Sequence, residues 1–216
     1  MKISLRLILL GALAAPCWAH ADPNLILNGS FEQFTLSPSY GFDLPNDWTF
    51  TAGDPTASLL TVDGPGTTGG SGATAEDGTY FLAFGAPQNA LDTISQTLST
   101  VSGGVYNLSF WVNTDFSQGT PLELTASWGS SDLLNLTTPL SSGGWTEYRF
   151  ALTGSGSADT LSFSGLDNDG YALLDNVQLV AAPDHGPGLL LTAAALLALV
   201  AAASAPARRA LAFARG

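Results

Sequence analysis

Between Asp22 and Ala181 the chain carries seventeen carboxylates, one arginine (Arg149) and no lysine, histidine or cysteine. That inventory removes most enzyme chemistry. A Ser–His–Asp or Cys–His nucleophile, a Schiff-base lysine and a His-ligated zinc all need residues this segment lacks. Carboxylate chemistry survives. A retaining glycoside hydrolase sets two carboxyls about 5–5.5 Å apart, and an inverting one sets them wider. Asp115 and Glu123 are candidates for such a pair, although no motif singles them out. The shortage of Lys and Arg also excludes nucleic-acid binding, which rests on phosphate neutralisation. An acidic surface fits solubility, repulsion from anionic membranes, or divalent cations.

A second chemistry needs no reacting group. Sugars are held by exposed aromatic rings bordered by amides and carboxylates. Trp48, Trp111, Trp128 and Trp145 are available, with Tyr40, Asn113, Asp115 and Gln118 near them in sequence. Trp111 stands out because it falls between Ser109 and Asn113, on the polar face of an alternating segment. Trp111, Asn113 and Trp128 are the residues expected to touch a ligand. Trp145 follows Gly143 and Gly144 at the start of a strand and reads as a structural corner.

The elements that must position these side chains are strands. "VYNLSFWVN" places Tyr106, Leu108, Phe110 and Val112 on one face and Asn107, Ser109 and Asn113 on the other. "TEYRFAL" groups Tyr148, Phe150 and Leu152, and "DTLSFSG" groups Leu161 and Phe163. This period of two marks half-buried strands. Further strands are expected at Leu25–Leu27, Trp48–Thr51, Ser58–Val62, Thr79–Phe84, Thr93–Leu98, Glu123–Trp128 and Tyr171–Val180. About ten short strands, no helical period and frequent Gly, Pro, Asp and Ser predict an all-β domain, an antiparallel β-sandwich of jelly-roll type. Asp63 to Gly78 reads as a loop by composition. Asp175 alternates with Leu173 and Val177 on what reads as a core-facing strand face, where a carboxylate must be paired or metal-bound.

Both termini read differently. Residues 1–21 have Lys2 and Arg6, an apolar run and Ala19 and Ala21 spaced for cleavage, the pattern of a signal peptide. Cys17 as a lipid-attachment site would need a small residue where Pro16 stands. Cleavage before Asp22 removes the one cysteine, so the mature chain has no disulfide. The domain then spans 22–181. Residues 182–187 form a linker, and 188–216 hold an apolar helix and a basic tail. Gly188 to Ala205 is an uncharged stretch of 18 residues, near the lower limit for spanning a membrane, and Arg208, Arg209 and Arg215 follow it. The arginines would keep the extreme C-terminus cytoplasmic and the domain outside. A plain membrane anchor is one reading of this end.

The order Pro183–Asp184, apolar helix, Arg208–Arg209 resembles a bacterial C-terminal sorting signal of the PEP-CTERM class. "APDHGPG" is closer to its VPDSG-type variant, with Ala182 for Val and His185 for Ser. The resemblance implies an exosortase-type processing enzyme as partner, transient or permanent membrane anchoring, and delivery to the cell surface or extracellular matrix. The domain itself, through "NLILNGSFE", "ISQTLSTVSGGVYNLSFWV" and "LLDNVQL", resembles secreted carbohydrate-binding, galactose-binding-like jelly rolls. That likeness implies a non-catalytic module engaging extracellular polysaccharide. The alternatives are a purely structural or adhesive surface protein and, further off, a carboxylate-based glycoside hydrolase.

The same resemblance implies a structural calcium ion where the first strand meets the last. Carried over by position, Glu32, Glu76 and Asp175 would supply carboxylates and Ser30 and Thr79 carbonyls. Such a donor set suits a hard cation that takes six to eight oxygens. Three carboxylates brought together without a cation would repel one another. The other reading of Glu32 and Asp175 is that they cap turns and accept backbone N–H groups.

Overall fold

The computed structural model describes residues 23–65, 72–87, 90–114, 121–140 and 144–183. The chain divides after Ala181 into two compact units, Met1–Ala181 and Ala182–Gly216. Residues 1–21, read above as a signal peptide, together with Asp184, the apolar stretch and the C-terminal arginines, lie outside the described residues; Pro183 is described and exposed. No helix among the described residues is long and apolar enough to cross a membrane.

Twelve strands are described: β1 (Phe34–Leu36), β2 (Asp43–Pro45), β3 (Thr49–Thr51), β4 (Leu60–Asp63), β5 (Phe81–Phe84), β6 (Asp92–Ser99), β7 (Val105–Asn113), β8 (Leu122–Trp128), β9 (Ser131–Leu136), β10 (Thr146–Thr153), β11 (Ala158–Asp167) and β12 (Ala172–Ala181). One sheet has the order β10-β7-β12-β5-β4, a second β3-β6-β11-β8-β9, and β1 pairs with β2 alone. Every pairing is antiparallel. Neighbouring strands in each sheet are mostly distant in sequence, so the sandwich is closed by long crossovers rather than by a run of hairpins. The expected all-β sandwich is therefore present.

The core lies between the two sheets and follows the alternation. Tyr106, Leu108, Phe110 and Val112 of β7 face Leu122, Leu124, Ala126 and Trp128 of β8 and Leu161 and Phe163 of β11 in one buried cluster. Phe110 is its aromatic centre, with ring centroids 5.8 Å from Tyr148, 5.9 Å from Phe150 and 5.0 Å from Phe163. Burying each such side chain stabilises the fold by about 1.5–3 kcal/mol.

Three features differ from the sequence reading. Residues 25–27 are bend and turn rather than strand, although Leu25 donates its N–H to the Leu179 carbonyl at 2.8 Å and Ile26 is buried. β1, β2 and β9 were not anticipated; two of them have only three residues, too few to show a period. The third correction concerns β12. Its register shifts between Asp175 and Gln178, so that Asn176 and Val177 together oppose Phe110. Asn176 adopts φ 48° there. This bulge turns Val177 into the main core, while Leu173 packs on the opposite face of the sheet with Phe81 and Ala83. Asp175 follows Leu173 outward and does not share a face with Val177.

Candidate functional site

The outer face of the first sheet has two parts. Over β5 and the start of β12, the segment 73–75 and Trp145 cover Phe81, Ala83 and Leu173 in a small second core. Trp145 is fixed by its indole N–H, which donates to the Thr74 carbonyl at 2.9 Å, and by an edge-to-face contact with Phe81. The corner role read from sequence is what it performs.

Over β10, β7 and the rest of β12 the face is open. The register sets three rows across it: Glu147, Trp111 and Asp175; Arg149, Ser109 and Gln178; Ala151, Asn107 and Val180. With Glu76 and Asn176 at one end, the residues of these rows other than the buried Asp175 line a cleft of about 590 Å³. That lies within the usual range of about 300–1,000 Å³ for ligand pockets. Trp111 is half-buried and is the only aromatic outward-facing member of the three rows. The Arg149 side chain, 75% exposed, pairs through Nη2 with Glu147 Oε1 at 2.7 Å. A second cleft of about 490 Å³, lined by Asn28, Ser30, Gln33, Glu32 and Asp77 among others, adjoins the first at Asn176 and Gln178.

The wall between the covered and open parts is the loop 76–80, and two carboxylates hold it. Asp175 Oδ2 accepts the N–H groups of Glu76 (2.8 Å) and Asp77 (3.0 Å), and its Oδ1 accepts that of Asn176 (2.7 Å). Glu32 Oε1 accepts those of Thr79 (2.7 Å) and Tyr80 (2.8 Å). Glu76 in turn accepts from the Asn176 side-chain amide at 2.7 Å. Asp175 is fully buried, and burial lifts its carboxyl to about 7 against the lowering pull of its N–H donors; the charge of Glu76 adds to the rise.

The positions chosen from sequence for calcium thus gather around one loop, and Glu32 and Asp175 act there as acceptors of backbone N–H groups. Thr79 contributes its N–H, and Ser30 lies in the second cleft. Among the described residues no three His, Cys, Asp or Glu side chains converge as a metal-ligating group.

Of the three residues expected to touch ligand, the cleft contains Trp111 alone. Trp128 is a core residue, 8% exposed, on β8 of the other sheet, with its indole N–H directed to the Thr153 carbonyl at 3.3 Å. It belongs to the inward set Leu122, Leu124, Ala126 and Trp128, a period visible in the sequence. Asn113 does lie on the outer face, but it is opposite Leu173 and only 5% exposed. Asp115 and Gln118 lie outside the described residues, and Glu123 is on the second sheet. The residues that sequence reasoning missed are Asn107, Ser109, Glu147, Arg149 and Gln178. Their alternation was legible, but not which strands lie side by side.

No family model matches this sequence, and no curated protein does. Solved structures match over the domain. The K3 cleaved adhesin domain of Lys-gingipain from Porphyromonas gingivalis aligns with TM-score 0.52 and 17% identity, over 74% of this chain and 97% of its own. TmCBM61, solved with β-1,4-galactotriose, aligns with TM-score 0.51 and 18% identity, over 74% and 99%. The fold is a jelly roll shared with carbohydrate-binding modules. The enzymatically active domain of bacteriophage CBA120 tailspike protein 4 also aligns, with TM-score 0.50 and 12% identity over 74% of this chain, and the match spans 21% of the tailspike chain. At these identities the likeness concerns the fold.

Proposed function

We propose that the domain is a non-catalytic surface or matrix module that binds extracellular polysaccharide in the open cleft of the first sheet. One observation carries this reading. A half-buried tryptophan, Trp111, stands on the outer face of a sandwich, between rows of carboxylate, guanidinium, hydroxyl and amide groups, where a core residue has no reason to be. A pyranose offers an apolar face to a ring and hydroxyls to the groups around it. The complex of TmCBM61 with galactotriose supports a sugar as the class of ligand on this fold. Glu76 and Glu147, the acids on the cleft, are both engaged, with Asn176 and Arg149.

Secretion, processing by an exosortase-type enzyme and anchoring through the C-terminal segment complete the proposal. They are supported by the sequence of the two ends, with Pro183, Asp184, Arg208 and Arg209 as the sorting residues. Calcium enters as a proposal of its own: Glu32, Glu76 and Asp175, with the Ser30 and Thr79 carbonyls, are the residues that would hold it.

The test compares two tryptophans in binding to bacterial matrix polysaccharide and to β-1,4-galactan. Trp111→Ala is expected to weaken binding by about 2 kcal/mol or more at an unchanged melting temperature. Trp128→Ala is expected to lower stability by about 3–5 kcal/mol. Unaltered binding by Trp111→Ala would place the ligand elsewhere. A folded protein that binds no glycan would leave the purely structural surface role.

A further inference from the structure

Resting on that reading, we infer that the glycan is a neutral polysaccharide and that the cleft rejects uronate-bearing or sulfated chains. The domain has one basic residue to offer a ligand, Arg149, since no other lies between Arg6 and Arg208. Arg149 does line the cleft, but it is paired with Glu147 at 2.7 Å, so its charge is already answered. Glu76 adds a second carboxylate at the end of the same cleft, and its Asn176 partner is a neutral amide. The remaining polar lining is amide and hydroxyl: Asn107, Ser109, Asn176 and Gln178.

The second cleft repeats this composition. It continues from Asn176 and Gln178 past Glu32 and Asp77, with Asn28, Ser30 and Gln33 between them and no basic side chain in its lining. A chain leaving the first cleft in this direction meets more carboxylates. Beyond both clefts the domain as a whole holds seventeen acids against one base. A ligand bearing one negative charge per sugar would therefore bring like charge against like charge in a groove of reduced dielectric, where screening is weaker than in bulk water. Recognition of carboxylate or sulfate uses an arginine fork free to bind both oxygens, and here one fork nitrogen, Arg149 Nη2, is already bound to Glu147. A neutral chain meets no such cost. Its hydroxyls can donate to the carboxylates and accept from the amides and the guanidinium.

The test uses the full chain in affinity electrophoresis against neutral galactan, xylan and dextran, and against polygalacturonate and alginate. Whichever neutral polymer is retained is also run as its carboxymethylated form. The expected result is retention by at least one neutral polymer, none by the polyuronates, and at least about tenfold weaker retention of the carboxymethylated form at low salt, equivalent to ~1.4 kcal/mol. That difference should shrink as salt is added and when Glu76→Gln and Glu147→Gln are combined, neither of which would relieve a steric rejection. Retention of a polyuronate as tight as that of any neutral polymer, with loss in Arg149→Gln, would overturn the inference while leaving glycan binding intact. So would a charge derivative whose weaker retention ignores both salt and the double substitution. No retention by any polymer would instead defeat the glycan reading itself.

Discussion

Four acidic side chains of this domain hold loops in place. Asp175 and Glu32 clasp residues 76–80 from two sides. Asp92, fully buried, accepts the N–H groups of Gly53 at 3.0 Å and Leu59 at 2.9 Å, and burial raises its carboxyl above the ordinary range. Asp159 accepts from the Ser155 N–H at 2.9 Å and from the Thr100 hydroxyl. In a domain without cysteine these contacts tie distant segments together. They also carry a pH signature. Asp175 has a folded-state value of about 7 against an ordinary 3.8, so folding favours its protonated form. Its contribution to stability is complete below about pH 4 and is lost as pH rises through about 7, a change on the order of a few kcal/mol. Denaturant midpoints measured across that window should fall with rising pH, and Asp175→Asn should flatten the trend. A trend unchanged in the variant would assign the pH dependence to other groups, Asp92 first.

At the scale of elements, the decisive feature is the bulge of β12 and the segment that rests on it. Gly29 lies against the Val177 carbonyl so closely that a Cβ would stand 2.0 Å from its oxygen, while the Val177 N–H donates to Gly29 O at 2.9 Å. Asn28, at φ 49°, directs its amide N–H groups to the Gln33 and Asn46 carbonyls, and Phe31 enters the core. Asn28, Gly29, Phe31 and Glu32 of "NGSFE" therefore each have a backbone or packing reason, and the motif meets "LLDNVQL" face to face. Gly29→Ala is expected to destabilise by about 1–3 kcal/mol or more, because the obstacle is backbone and cannot rotate away. At Asn176, Gly should cost less than Val: both lose the bond to Glu76, but Val adds the strain of a left-handed backbone, about 1–2 kcal/mol. Thermal melts of the three variants check the order. Equal losses for Gly and Val would mean the side-chain bond, not the backbone, dominates.

For the molecule as a whole, the question is what keeps an acidic, disulfide-free sandwich folded in its working medium. The aromatic core around Phe110 supplies the main part, and the carboxylate clasps fix the loops over it. Calcium is the proposed addition. If it binds around Glu32, Glu76 and Asp175, the full chain should melt higher in calcium than in chelator, by the equivalent of roughly 2.7 kcal/mol when calcium is about 100 times its dissociation constant. Glu32→Ala combined with Asp175→Ala should abolish that difference. Identical wild-type melting in calcium and chelator would remove the ion from the proposal and leave the N–H clasps as the whole role of these residues.

The sequence by itself determined the class of fold, because a period of two in apolar residues has one physical outlet, a sheet buried on one face. It also determined the lack of His, Lys and Cys chemistry, the outward placing of Trp111, and the importance of Glu32 and Asp175. Tertiary structure alone decided what those residues do. Alternation along one strand does not say which strands become neighbours, so Glu147, Arg149 and Gln178 could not be placed beside Trp111 until the order β10-β7-β12 was known. Nor does it register a bulge, since one extra residue reverses every later side chain. That single residue in β12 separates Asp175 from Val177, sends one to a loop and the other to the core, and leaves Gln178 facing the cleft.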